Sequence, residues 1–262
     1  MNKLGMKLIL LALSFMVLTA CDEDDGYDTS LKKDPPLFEM GTMYLEPTMV
    51  TDKDPSTFKT IIYKGQFDRR MFDRRVDRDV KVHAYVFDIT FDDGLTCEAQ
   101  VNLEFESREN ALVEAEKYST AIGRIPHCLR EKIRTISIHK GNNYFGGGDG
   151  DILVHTGMGE EYIKEGVLEE AMIHEAGHVS LDPYHYNKAY RKAQADDVAF
   201  VSKYAEDYPD REDIAESFVT FLMVECKADR IDDDMLEKIK TGNKHRLAYF
   251  RAQNFNVYPF KR

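Results

Sequence analysis

The sequence predicts an α+β protein whose strands come first along the chain and whose helices follow. Of its 262 residues, 43% are hydrophobic and 31% are charged, which is enough apolar material for a folded core. Alternation of apolar and polar residues with period two indicates strands at residues 80–87 and 96–105. From about residue 164 onward, apolar residues recur at helical spacing instead. Strands followed by helices are typical of an α+β domain with a helical second half.

The chain is strongly acidic, with 47 Asp and Glu residues against 35 Lys and Arg residues and a net charge of −12. A protein surface of that charge repels the phosphate backbone of DNA and RNA. We therefore expect no nucleic-acid partner.

Residues 1–20 are predicted to be a signal peptide that does not belong to the fold. A short positive head precedes an apolar run, residues 8–18, that is too short to span a bilayer comfortably. The run ends in Leu18-Thr19-Ala20-Cys21, which resembles the lipobox of bacterial lipoproteins. That resemblance implies cleavage before Cys21, acylation of its thiol and attachment to a lipid bilayer of the cell envelope, outside the cytoplasm. An ordinary secretory signal with a chance cysteine is the alternative, and both the periplasmic face and the cell surface stay open as destinations.

The segment after the predicted anchor leads into a β-rich region. Residues 21–40 are acidic and then contain two prolines, so we expect a linker from the membrane. Residues 41–107 are expected to be a β-rich N-terminal region with strands at 60–63, 80–87 and 96–105. Asp92-Asp93-Gly94 supplies the turn of a hairpin between the last two of these strands.

Residues 108–262 are expected to hold two further strands and a series of helices. A helix at 108–122 has Ser107 as its predicted N-cap, and strands are predicted at 135–139 and 152–156. Three consecutive glycines, 146–148, lack the Gly-Lys-Ser/Thr sequence of a phosphate-binding loop and therefore indicate a loop that leads into an edge strand, 152–156. The later helices are predicted at about 164–181, 187–205, 210–228 and 234–252.

Three cysteines remain if Cys21 is acylated, so at most one disulfide can form among them. Cys226 lies on a predicted helix among core residues, which leaves Cys97 and Cys128 as the expected pair. No CxxC pair is present, and the sequence therefore gives no support to a thiolate zinc site.

The helix predicted at 164–181 contains the sequence His174-Glu175-Ala176-Gly177-His178, which matches HExxH. Positions i and i+4 share one face of a helix, so both imidazoles can bind a single metal ion. Glu175 would then point beside them toward a metal-bound water, and neutral imidazole suits Zn²⁺. The alternative is a pair of surface histidines on a solvated helix. Apolar neighbours in the preceding turns make a buried helix the better interpretation, and buried histidines need a shared partner.

The third metal ligand has several candidates. The extended metzincin motif would place Gly at position 181 and His at position 184, where this chain has Leu and Tyr. His185 is one residue late and follows a proline, so it is a fallback ligand only. Glu212 and Glu216 are one turn apart on a second predicted helix with Asp210 as N-cap, so one can bind the metal while the other accepts the N–H of a ligating imidazole.

The HEAGH sequence followed by a helix with ExxxE resembles the gluzincin metallopeptidases, in particular their lethal-factor-like branch. The resemblance covers roughly residues 108–225 and implies a zincin-like catalytic domain at 108–262, in which the edge strand of a small mixed sheet pairs with extended substrate. It also implies Glu212 as the third zinc ligand and Glu216 as the acid that orients a histidine. Tyr204 matches the tyrosine that stabilises the oxyanion in that family with about one extra residue of spacing, so Tyr208 is kept in reserve.

The leading functional hypothesis is therefore zinc-dependent hydrolysis of peptide or protein substrates. Zn²⁺ would be held by His174, His178 and Glu212, Glu175 would be the general base, and Tyr204 would donate to the oxyanion. Substrate would lie along residues 152–156 as an added strand. A non-catalytic envelope or surface lipoprotein with a structural zinc site is one alternative. A metal-dependent hydrolase of cell-wall or glycan amides is another.

Overall fold

The computed structural model describes residues 34–261. The predicted signal peptide, Cys21 and most of the predicted linker lie outside the described residues. Within this part of the chain, no helix is both long enough and apolar enough to cross a membrane.

A mixed sheet forms one layer of the fold. Its strands lie side by side in the order β1-β2-β3-β4-β6-β5. β1, β2 and β3 form antiparallel pairs, β3, β4 and β6 run parallel, and β5 returns antiparallel to β6. The strands are β1 (Phe58–Asp73), β2 (Arg78–Phe91), β3 (Thr96–Val101), β4 (Thr135–His139), β5 (Gly146–Gly148) and β6 (Asp151–His155).

Helices form the second layer and most of the C-terminal half, so the α+β fold class is confirmed. α1 packs on β1, β2 and β3, while α4 contacts β5 and β6 on one side and α8 on another. The helices are α1 (Arg108–Arg124), α2 (His127–Arg130), α3 (Thr156–Glu165), α4 (Leu168–Ser180), α5 (Asp182–His185), α6 (Lys188–Asp196), α7 (Lys203–Asp207), α8 (Asp213–Cys226), α9 (Asp233–Gly242) and α10 (Lys244–Ala252).

Several local predictions are confirmed. β4 coincides with the predicted strand at 135–139, and α1 begins directly after Ser107, whose side chain accepts a hydrogen bond from the N–H of Asn110. The predicted hairpin joins β2 to β3 through Gly94, which has a φ of 87°. Because β3 also pairs with β4, the boundary predicted between residues 107 and 108 falls within one sheet.

The predicted edge strand is wrong. β6 lies between β4 and β5, so the edge beside it is the three-glycine strand Gly146–Gly148. These glycines were expected to form a loop that leads into the edge strand, whereas they form the edge strand themselves. β5 covers this side of β6 over residues 151–153, so the strand predicted at 152–156 is not the terminal strand of the sheet.

The predicted helices are interrupted more often than their periodicity indicated. α3 ends at Glu165 and is followed by Gly166, whose φ of 74° is left-handed, and α4 begins only at Leu168. The helix predicted at 187–205 is two helices, α6 and α7. The helix predicted from residue 210 begins at Asp213, and Asp210 is not its N-cap: its carboxylate accepts the hydroxyl of Tyr186 instead.

Cys97, Cys128 and Cys226 are free thiols, so the predicted Cys97–Cys128 bridge is wrong. Cys97 lies on β3 and Cys128 on α2, and both are buried in the core. Burial raises the pKa of each of these two thiols to about 12, which keeps them protonated and unreactive.

Arg246, on α10, is a buried cation that fixes the start of α8. Its guanidinium donates to Asp213 through Nε (2.9 Å) and Nη2 (2.8 Å), and to Asp197 through Nη1 (2.9 Å). Tyr190, on α6, donates its hydroxyl to the same Asp213 (2.6 Å). Asp213 is the first residue of α8 and directly follows Glu212, so this network holds that end of the helix in place.

β5 lies directly on the backbone of α4. A Cβ atom added at Gly147 would lie 1.9 Å from the carbonyl oxygen of Glu175, whereas one added at Gly148 would meet no atom within 4 Å. The absence of a side chain at residue 147 is therefore what permits this strand to approach the helix.

We predict that Arg246→Met lowers the free energy of unfolding by about 3–5 kcal/mol, because two buried carboxylates lose their counter-charge. Urea denaturation measures this loss. Arg251→Met is the matched control on the same helix, because Arg251 pairs with Glu225 at the surface and should cost only about 0–1 kcal/mol. Equal losses in the two variants would contradict a structural role for the buried network.

We also predict that Gly147→Ala lowers the free energy of unfolding by about 1–3 kcal/mol, since its methyl group forces β5 away from α4. Gly148→Ala is the control and should stay within about 0.5 kcal/mol of the unaltered protein. Denaturant unfolding of both variants compares them, and a neutral Gly147→Ala would rule out the close contact.

Candidate metal centre

Two histidines of α4 face one another across a single helical turn. Nε2 of His174 and Nε2 of His178 are 3.2 Å apart, and both side chains are largely buried. The spacing of i and i+4 on a helix brings the rings together, as the sequence indicated.

Glu212 reaches these histidines from the residue before α8. Its Oε2 lies 3.3 Å from Nε2 of His174 and 3.0 Å from Nε2 of His178. The helices can approach because Gly177 of α4 faces Ala215 of α8, where an added Cβ would lie 3.1 Å from the Cβ of the alanine. His174, His178 and Glu212 thus form a buried group whose ligand atoms all lie within 4.8 Å of one another and can hold a metal ion.

The spacing of the three ligand atoms fits a tetrahedral site. Bonds of 2.0–2.1 Å at tetrahedral angles place neighbouring ligand atoms about 3.3 Å apart, close to the distances of 3.0, 3.2 and 3.3 Å in this group. Oε2 of Glu212 is also buried and faces both Nε2 atoms. A buried carboxylate oxygen needs positive charge beside it, and a cation held by the three ligands would supply that charge.

Two further acids lie beside the Nδ1 atoms of the imidazoles. Oε1 of Glu216 lies 3.1 Å from Nδ1 of His174, the position expected for the acid that orients a histidine. Nδ1 of His178 donates to Oδ2 of Asp182 (2.9 Å). Asp182 was not among the predicted site residues, although its place four residues after His178 is a signal in the sequence. Both Nε2 atoms are thus left facing Glu212.

The opposite charges in this group raise the pKa values of its histidines and lower the pKa of Glu212. Burial favours neutral imidazoles, but the neighbouring carboxylates outweigh it and raise the pKa of His174, and that of His178 to about 9. Burial likewise favours a protonated Glu212, yet the two histidines hold its pKa far below the usual range. The carboxylates therefore create a site that favours positive charge, and protons compete with a metal ion for it.

A cavity of about 630 Å³ borders the three ligand atoms, and Glu175 lines it beside His174. Tyr204 also lines the cavity, with its ring centroid 6.3 Å from that of His174. Burial and the charge of Glu212 raise the pKa of Tyr204 to about 12, so its hydroxyl stays a hydrogen-bond donor at neutral pH. Tyr208 packs edge-on against Tyr204 and is not part of the cavity wall.

The fallback ligand His185 is not part of this group. Its ring packs against Phe255, with centroids 4.9 Å apart. The turn that follows α4 carries it away from the two histidines, and it belongs neither to the ligand group nor to the cavity wall.

The cavity wall includes residues to which the sequence analysis gave no role. Gly146 and Gly147 of the edge strand β5 border it, and so do Gly41, Met43 and Tyr44 from the N-terminal side. No sequence pattern marked residues 41–44, because their place beside the histidines depends on contacts far apart in the chain.

Comparison with protein-family models, with curated proteins and with solved structures gives no match to this chain. The candidate site therefore stands on its own geometry: two imidazoles and a carboxylate at tetrahedral spacing, bordering a cavity that also holds a glutamate and a tyrosine.

Proposed function

We propose that this chain is a zinc-dependent metallopeptidase. The observation that carries the proposal is the group of His174, His178 and Glu212, whose atoms have the spacing of a zinc site and border a cavity lined by Glu175. A catalytic zinc site has three protein ligands and one open position. This group likewise has three ligands.

The metal and Glu175 would divide the chemistry between them. His174, His178 and Glu212 would hold Zn²⁺, and the bound ion would supply Lewis acidity toward the scissile carbonyl and the attacking water. Glu175, adjacent to His174 in the chain and half-buried at the cavity wall, accepts a proton from that water and delivers it to the leaving amine.

Tyr204 would stabilise the negative charge that develops on the carbonyl oxygen. Its hydroxyl stays protonated because its pKa is raised to about 12, and it lies on the side of the cavity that holds Arg211 and Glu212. A donor already oriented toward the developing oxyanion is among the strongest single contributions to catalysis.

Substrate would bind as an added strand on β5. β5 is the terminal strand of the sheet on this side, and Gly146 and Gly147 border the cavity. Main-chain hydrogen bonds to a sheet edge hold a peptide in extended form without requiring a particular sequence. The proposal thus replaces β6 with β5 as the strand that binds substrate.

The main alternative is an envelope lipoprotein with a structural zinc site. Structural sites are usually closed by four protein ligands, and within the described part of the chain this group has three. The presence of three ligands and not four, together with the adjacent cavity, favours the catalytic proposal. We further propose, from the lipobox resemblance, that the mature chain is anchored to the cell envelope through Cys21.

We predict that Glu175→Gln retains zinc but lowers kcat by about 10²–10⁴-fold, because the general base is lost while the ligands remain. Metal content by mass spectrometry and turnover of a peptide library by the purified protein measure the two effects. A chelator should abolish activity, and added zinc should restore it.

Glu161→Gln is the control for this variant, because Glu161 is an exposed glutamate on α3 outside the cavity. It should keep full activity. Full activity of Glu175→Gln would remove Glu175 from the mechanism, and activity that resists chelation would rule out the metal.

We also predict that Tyr204→Phe lowers kcat by about 10²–10³-fold with little change in KM, since the hydroxyl acts on charge that develops only in the transition state. Tyr208→Phe is the matched control and should leave kcat nearly unchanged. Steady-state kinetics on one cleaved peptide compare the variants, and the reverse order of effects would assign the oxyanion to Tyr208.

A further inference from the structure

Residues 37–44 form a segment, here the N-terminal strap, that is fixed beside the metal centre. Leu37 and Phe38 donate their N–H groups to the carbonyls of Phe200 (2.9 Å) and Val201 (3.1 Å). The N–H of Lys203 donates in turn to the carbonyl of Phe38 (2.8 Å). The strap therefore pairs in parallel with the residues that lead into α7.

The strap then contacts Glu216, the acid that faces His174. Thr42 is fully buried, and its N–H donates to Oε2 of Glu216 (2.8 Å). Its hydroxyl donates to the main-chain carbonyl of the same glutamate (3.0 Å). Ser202 lies opposite the strap and donates its hydroxyl to Oε2 as well (2.6 Å).

The two oxygens of Glu216 therefore have separate roles. Oε2 accepts hydrogen bonds from Thr42 and Ser202, while Oε1 lies 3.1 Å from Nδ1 of His174. A carboxylate is planar, so two donors that fix one oxygen also fix the direction of the other. Hydrogen bonds to a buried carboxylate are the strong, charge-assisted kind. The orientation of the His174 ring is thereby tied to the strap.

We propose that the N-terminal strap completes the metal centre, with Thr42 as a positioning residue that acts on His174 through Glu216. The inference rests on the proposed function in one respect, namely that zinc is the ion bound. Partners in the layer behind metal ligands typically change metal affinity by 10- to 100-fold. The strap also contributes Gly41, Met43 and Tyr44 to the cavity wall.

Two substitutions of Thr42 distinguish the contribution of its N–H group from that of its hydroxyl. Thr42 is the first residue of the turn Thr42–Tyr44, and Gly41 before it is extended, with φ −60° and ψ 148°. Proline is tolerated at such a position and requires an extended residue before it. Thr42→Pro removes both the N–H donor and the hydroxyl, whereas Thr42→Val removes the hydroxyl alone and keeps the N–H, so the difference between the two variants isolates the N–H.

We expect Thr42→Pro to weaken zinc binding by about 10- to 100-fold and to speed zinc release, with a much smaller effect in Thr42→Val. Competition with a chromophoric chelator gives the zinc affinity. Urea unfolding of the metal-free variants gives their stability separately. If Thr42 acts through Glu216, Thr42→Pro should add little to the loss of affinity already caused by Glu216→Gln.

Gly41→Val provides a second test if Thr42→Pro does not fold. A Cβ atom at residue 41 would lie 3.4 Å from Oε1 of Glu216, and its φ of −60° suits any residue. The added methyl groups would crowd the oxygen that faces His174, so zinc affinity should again fall.

Equal zinc affinities of Thr42→Pro and Thr42→Val would overturn the proposal, as would unaltered affinity in Gly41→Val if the proline variant does not fold. A purely structural strap would lower the unfolding free energy of the metal-free protein and leave zinc affinity unchanged. Zinc binding is measured without substrate, so a lack of peptidase activity would count against the proposed function alone. Failure of the unaltered chain to bind zinc would overturn both.

Discussion

The candidate metal centre depends on the close approach of α4 and α8. Gly177 of α4 faces Ala215 of α8, and a side chain at residue 177 would contact that alanine at 3.1 Å. Small residues at a helix crossing let the two backbones lie near each other. Glu212, at the start of α8, can then reach the two imidazoles one turn apart on α4. Asp213 directly follows Glu212 and forms a buried ion pair with Arg246. This ion pair helps to hold the start of α8, and with it the backbone of Glu212, in place.

Buried negative charge is the second constraint on this site. The carboxylates of Glu212, Glu216 and Asp182 surround two histidines in a largely buried environment. Ionised groups removed from water are costly unless opposite charge compensates them. Protons on the imidazoles provide that charge in the metal-free protein, and the raised pKa values of both histidines express it. A divalent cation bound by His174, His178 and Glu212 would provide the positive charge at a single point between them.

Glycine gives the sheet edge its particular place beside the site. Gly147 has no side chain between β5 and the carbonyl of Glu175, so the edge strand lies on the helix that carries the HExxH sequence. Sheet edges in proteins are commonly short because an exposed edge pairs with other chains. Here the edge is three residues long and borders the cavity. The same unpaired main-chain groups that make an edge a liability would bind the extended peptide that we propose as substrate.

The sequence by itself determined the features that rest on local periodicity. The placement of His174 and His178 on one face follows from the helical repeat. The cap of α1 follows from the Ser107 side chain, and the strand β2 from alternation with period two. Asp182 carried a local signal as well, four residues after His178. The tertiary structure decided what depends on contacts distant in the chain. It brought Glu212, and not His185, to the histidines, made Gly146–Gly148 the sheet edge, kept Cys97 and Cys128 apart as thiols, and placed Thr42 against Glu216. A residue's neighbours along a helix are fixed by its repeat, whereas the distance between two helices depends on the packing of the whole core.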